Sequence, residues 1–203
     1  MPVVSRRGVL RAAALSSLAL PLSGCVMAGE GPGRGVAGGS ADEIYLDYAT
    51  YNPLSLIIKS KGWLEKVAAE HGQSVTWVYS AGSNKANESL RAGVVDVGST
   101  AGSAALLARA NGSPIKTISL FSQPEWSALV RTAASPVRAV ADLAGKSVAV
   151  TKGTDPYFFL LQSLKAAGMS AEDVTVTNLQ HADGRTALDS GRVDAWSGLD
   201  PIM

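Results

Sequence analysis

Short apolar runs alternate with helix-compatible runs along most of the chain, and most of the helical runs stop at a glycine. Strands are expected at 43–48, 74–79, 94–98, 115–121 and 126–131, then at 146–151, 174–179 and 193–197. Between them lie helical stretches at 54–70 with a break at Gly62, 84–92, 103–111, 137–144, 155–167 and 183–190. Strands separated by helices through short connections form α/β units with mainly parallel sheets. Gly93, Gly112, Gly145 and Gly168 each sit where a helix would end, because glycine tolerates the positive φ of a helix stop.

The second constraint is an internal echo. Leu90 to Ser99 and Leu188 to Ser197 share the pattern L-x-x-G-x-V-D-x-x-S, with five identities in one ten-residue register. Each copy reads as a helix end, a glycine turn and a short buried strand. This favours two related lobes. It also makes Asp96 and Asp194 structural acids that satisfy turn amides, rather than a catalytic pair.

The N-terminus is an address rather than part of the fold. Arg6 and Arg7 precede an apolar stretch from Ala12 to Leu22, and Leu22-Ser23-Gly24-Cys25 follows. A basic region, a short apolar stretch and small residues make an export signal, and the stretch is too short to span a bilayer. Ser5 to Arg11 resembles the twin-arginine pattern S-R-R-x-F-L-K, with Val9 for Phe and Arg11 for Lys. Leu22 to Cys25 resembles a lipobox, in which the cysteine (the chain's only one) is lipidated and becomes residue one. Residues 26–41 are rich in glycine and small residues, as in a flexible tether.

Charge sharpens this division. The 203 residues carry 18 basic and 17 acidic side chains, for a net charge of +1. Residues 1–24 hold three arginines and no acid, so the remainder is slightly acidic, at −2. A nucleic-acid-coating protein would carry a basic stripe, which this body lacks. One cysteine excludes an internal disulfide or a multi-cysteine metal site, and two histidines leave little for a His-rich centre.

The loops after the strands carry whatever chemistry there is, since ligands of open α/β sheets bind beyond the carboxyl ends of strands. Ala49 to Pro53, Ser80 to Ser83, Ser99 to Gly102 and Lys152 to Pro156 are rich in hydroxyls, glycine or amides, and each leads into a helix start. Free N–H groups and the helix dipole suit such places to anions, although Ser and Thr there also serve as caps. No catalytic constellation emerges: His71 closes a helix, His181 sits in a turn, and neither a G-x-S-x-G elbow nor H-E-x-x-H is present. Core packing is the default reading for Trp126 and Trp196, with a pocket wall open for Trp196.

Gly62-Trp63-Leu64-Glu65-Lys66, Leu90 to Thr100, Ala139 to Lys146, Lys152-Gly153-Thr154, and Val193 to Trp196 with Asp200-Pro201 occur in an order that resembles one family. They are similar to the substrate-binding proteins of ABC importers for aliphatic sulfonates, taurine and nitrate. The resemblance runs from about Ile44 to Pro201. It implies a two-lobe, periplasmic binding protein-like type II fold with a ligand clamped between lobes. It also implies capture and delivery of a small anion to an ABC transporter permease, by a monomer without cofactor or metal and with no enzymatic activity. By resemblance the cleft-lining residues are Tyr51, Asn52, Ser80, Gly82, Ser83, Ser99, Thr100, Gly153, Thr154, Trp196 and Asp200, and the lipidated residue is Cys25. Ala101 stands where relatives often have Gly, and Asp155 where they often have Ser.

The expected organisation is a signal peptide at 1–24, a lipidated Cys25 with linker to 41, a first lobe at 42–121 and a partial second lobe at 122–203. Family members continue for about another domain's worth of chain, so a C-terminal remainder is expected to be absent, with poor stability and weak binding for these 203 residues alone. The expected place is outside the cytoplasmic membrane, in the periplasm or at the cell surface, lipid-anchored. An aliphatic sulfonate or taurine is the first ligand choice. Nitrate or a pyrimidine-type organic ligand, or a truncated fragment without function, stay open. An enzyme on the same fold would need a catalytic acid, base or nucleophile in the cleft.

Overall fold

The computed structural model describes residues 42–203. The expected export signal at 1–24, the lipidated Cys25 and the expected linker to 41 lie outside the described residues.

Among the described residues the first elements are strand β1 (Glu43–Tyr48), helices α1 (Pro53–Lys61) and α2 (Trp63–Glu70), and strand β2 (Ser74–Tyr79). β1 and β2 pair in parallel over their full length, from Glu43 opposite Ser74 to Tyr48 opposite Tyr79. α1 starts where it does for local reasons. The Asn52 side chain accepts the Ser55 amide at 3.3 Å, and Pro53 fills the first turn, where its missing N–H costs nothing. The expected long helix is indeed broken at Gly62, whose φ of 60° lets its amide bond back to Ile58 and Lys59 before α2 begins. α3 (Ser83–Arg91) and α4 (Gly102–Ala110) complete this half.

Two expected strands are absent. Residues 94–98 form a single bridge, between Val97 and Leu46, rather than a strand. Here Asp96 takes over the pairing: its amide donates to the Tyr45 carbonyl and its carboxylate accepts the Tyr45 amide. Residues 115–121 form no regular element and have no strand partner among the described residues, and Ile118 and Leu120 are 80% and 75% exposed. An apolar run favours a strand only where a neighbour pairs with it and a layer covers it.

The second half holds β3 (Ser127–Val130), β4 (Ser147–Val150), α5 (Asp155–Ala166), β5 (Thr175–Asn178), α6 (His181–Asp189) and β6 (Ala195–Leu199). The expected helix at 137–144 is only a 3-10 turn at Val140–Leu143. The sheet order is β3-β6-β4-β5, with β4 parallel to both neighbours and β3 antiparallel to β6. Side chains alternate across β4, so the two faces build two cores. Val148 and Val150 pack with Leu160 and Leu164 of α5, while Ala149 packs with Ala187, Leu188 and Trp196 on the α6 side. Leu160 and Leu164 are fully buried, each contributing about 1.5–3 kcal/mol. The first half buries mostly alanines, and Leu54, Ile57, Trp63 and Leu106 are exposed. Ala49, Tyr51 and Leu199, with Trp126 packed against them, form a third cluster that joins the two halves.

Candidate functional site

A cavity opens where the two halves meet, beyond the carboxyl ends of β1 and β4. It spans about 380 Å³ of free space, part of it open to solvent. Three helix starts face it: Ser83 begins α3, Ala101 caps α4, and Thr154 with Asp155 begins α5. The first amides of a helix have no partner within it and carry partial positive charge, so the convergence suits a bound anion.

The hydroxyl groups are held in place from behind. Buried Asp47 accepts both the amide and the hydroxyl of Ser99, each at 2.8 Å. Asn52 donates to the same Ser99 hydroxyl at 2.6 Å, and the Tyr51 hydroxyl donates to the Ser99 carbonyl at 2.9 Å. Burial raises the Asp47 pKa against the opposing hydrogen bonds from Ser99. Burial likewise pushes the Tyr51 phenol up, with Asp47 adding to the rise, so Tyr51 stays a donor. Ser83 accepts the Ala101 amide at 3.0 Å, which ties the start of α4 to the start of α3. Thr154 donates to the Thr151 carbonyl at 2.6 Å. Across the mouth, Ser103 of α4 donates to the carboxylate of Asp155 on α5.

Of the residues expected from sequence, Tyr51, Ser83, Ser99, Thr100 and Thr154 line the cavity together. Asn52 stands behind Ser99. Ser80 is buried, with its amide donating to the Tyr48 carbonyl. Gly82 packs against His181, and Gly153 lies close to Asn84. Trp196 is not a wall of the cavity: it is 1% exposed and lies in the core under α6, because β6 directs it to that face of the sheet. Asp200 is exposed, and its amide donates to the Trp126 carbonyl.

His181 is not in a turn. It is the first residue of α6 and is 1% exposed. Its ring points inward, with Nδ1 3.3 Å from the Thr151 hydroxyl, and burial lowers its pKa to about 4.

The lining also includes Ala101, Asp155 and Pro156, and outside the selected loops Phe121, Trp126 and Leu199. Ala101, Asp155 and Pro156 lie within the hydroxyl-rich loops themselves. Leu199 ends β6, Trp126 immediately precedes β3 and Phe121 lies in an irregular segment, where apolar side chains carry no signal that separates wall from core.

The architecture is that of the periplasmic binding proteins. The alkanesulfonate-binding protein SsuA from Xanthomonas axonopodis pv. citri, bound to MOPS, superposes with a TM-score of 0.70 at 27% identity over 81% of this chain and 56% of that one. The periplasmic aliphatic sulphonate binding protein SsuA from Escherichia coli gives 0.60 at 30% identity, over 80% of this chain and 56% of its own. A curated relative from Escherichia coli (strain K12), named for aliphatic sulfonates, is 33% identical over 72% of this chain. Residues 56–201 match the NMT1/THI5-like family, and the chain belongs to it. The chain spans about half the length of the curated relatives it matches well, 46% and 45% of the first two.

Proposed function

We propose that this chain is part of an extracytoplasmic solute-binding lipoprotein of an ABC importer, and that its cleft takes a small organic sulfonate. The observation that carries this reading is the convergence of three helix starts and oriented hydroxyls on a cavity with aromatic walls. A sulfonate has three oxygens to accept from the first amides of these helices, which have no partner within their own helix, and an organic tail suits Tyr51, Phe121 and Trp126. The relatives named for alkanesulfonate and aliphatic sulfonate binding favour a sulfonate over nitrate, which has no tail to use these rings. In this reading Asn52 and Ser80 support the lining from behind, residues 42–121 and 122–203 are the two lobes, and the protein binds its ligand without converting it. Export by the twin-arginine route and lipidation at Cys25 hold it outside the cytoplasmic membrane beside its permease.

The test is ligand-observed NMR on the 203-residue chain, which detects weak binding. Ethanesulfonate and butanesulfonate are expected to give saturable signals that compete with each other, and uncharged alcohols of the same length none. Binding of nitrate but of no sulfonate, or of none of these anions, would overturn the assignment. Mass spectrometry of the exported protein tests the anchor separately: a diacylated or triacylated Cys25 at the N-terminus is expected, and an unmodified cysteine rejects it.

A further inference from the structure

Asp155 is out of place in a cleft for a simple anion. Among the described residues that line the cavity it is the one with a formal charge, and that charge is negative; none of them is a lysine or arginine. A carboxylate beside a bound sulfonate repels it. The bland explanation is that Asp155 caps its own helix, since an acid in the first turn is favourable there. Its hydrogen bond goes elsewhere, however: Ser103 on α4 donates to it from the other half of the molecule. That bond fixes the carboxylate at the cavity and leaves it capacity to accept further donors or face a cation.

The other distinctive part of the wall is aromatic. Phe121 and Trp126 meet edge to face, with ring centroids 6.3 Å apart, and Tyr51 lines the same cavity. Aromatic rings and a carboxylate in one lining are the combination that recognises alkylated ammonium groups, whose charge is spread over apolar surface. A primary ammonium would ask for three directed acceptors instead.

We propose that the cleft selects zwitterions, with the anionic group at the helix starts and an alkylated ammonium group between Asp155 and the rings of Phe121 and Trp126. This rests on the proposed binding of an organic sulfonate. Asp155 is then the residue that sets specificity: it opposes a simple alkanesulfonate and attracts one carrying a positive tail.

The probe pair is trimethylammonioethanesulfonate and its carbon isostere, in which a tert-butyl group replaces the trimethylammonium. The two match in size, so they differ in the charge alone. The wild-type chain is expected to bind the cation about tenfold more tightly. Asp155→Asn is expected to weaken the cation about tenfold while leaving the isostere unchanged or tighter. Equal binding of the two by the wild type, or tighter binding of the isostere, overturns the inference while leaving the sulfonate reading intact. So does an Asp155→Asn effect that falls equally on both ligands, which marks a merely structural role. If the Asn variant does not fold, Trp126→Leu serves in its place, with a loss confined to the cation expected. Failure of every sulfonate to bind overturns both readings at once.

Discussion

Asp194 accepts the Ser147 amide at 2.8 Å, while its own amide donates to the Ser147 carbonyl at 3.0 Å. Asp96 does the same to Tyr45, with its carboxylate on the Tyr45 amide at 2.9 Å and its amide on the Tyr45 carbonyl at 2.8 Å. The two aspartates of the repeated ten-residue pattern thus do one job twice, each fastening the turn after a helix to the neighbouring strand. Asp194→Ala and Asp96→Ala should each cost about 1–2 kcal/mol, the worth of a charge-assisted bond to an amide in partly solvated surroundings. Urea melts of the single variants check this; a change within error for both would show that the repeated geometry carries no stability.

That repeat marks how far sequence reaches here. Gly93 and Gly191 with the following V-D pairs were readable because a glycine stop and a short strand leave a local pattern, and both glycines do take positive φ. The hydroxyl-rich loops were readable for the same reason, so Ser83, Ser99, Thr100 and Thr154 could be placed at a cleft. What was not readable depends on partners distant in sequence. Ile115 to Phe121 looks like a strand, yet among the described residues no strand pairs with it. Trp196 looks equally like wall or core until the pleat of β6 turns it under α6. Asp155 and Ser103 are 52 positions apart, and nothing local announces that they meet.

His181 makes acid stability a direct readout of its burial. Its pKa falls from 6.5 to about 4 because the ring is buried away from water. Between those values the unfolded chain binds a proton that the folded chain refuses, so stability falls as pH drops from 6.5 towards 4. The full loss is up to about 3 kcal/mol. The difference between wild type and His181→Gln, measured in urea at several pH values, isolates this group. A difference that stays flat over the window would mean the imidazole is not desolvated.

Gly184 on α6 is required by a ring rather than by its backbone. A Cβ at this position would lie 2.7 Å from Trp196 Nε1 and 2.8 Å from its Cδ1, and Trp196 is 1% exposed with no room to swing away. Gly184→Ala would gain about 1 kcal/mol of helix propensity. Overpacking costs about 1–3 kcal/mol and should win. A lower melting temperature is expected for Gly184→Ala, with partial recovery when Trp196→Phe removes the clashing edge. A higher melting temperature would show that the ring yields.

Asp47 links stability to the site, and the two can be separated by substitution. Burial raises its pKa above the ordinary 3.8, so the folded chain holds the proton more tightly than the unfolded one. Its contribution is therefore most favourable below 3.8 and is lost as pH rises through the raised folded value. At neutral pH the charge itself is a burden, but the oxygen that receives the Ser99 amide and hydroxyl is needed. Asp47→Asn keeps an acceptor and removes the charge. It should be neutral or stabilising at pH about 7 and should flatten the pH dependence above the carboxylate range. Asp47→Ala leaves the Ser99 amide and hydroxyl without that acceptor, at a cost of about 1–3 kcal/mol, and loosens the Ser99 segment that lines the cavity. Sulfonate binding should therefore survive in the Asn variant and weaken at least about fivefold in the Ala variant, a loss of roughly 1 kcal/mol in binding. Equal binding by both variants would show that the position of Ser99 does not matter to the ligand.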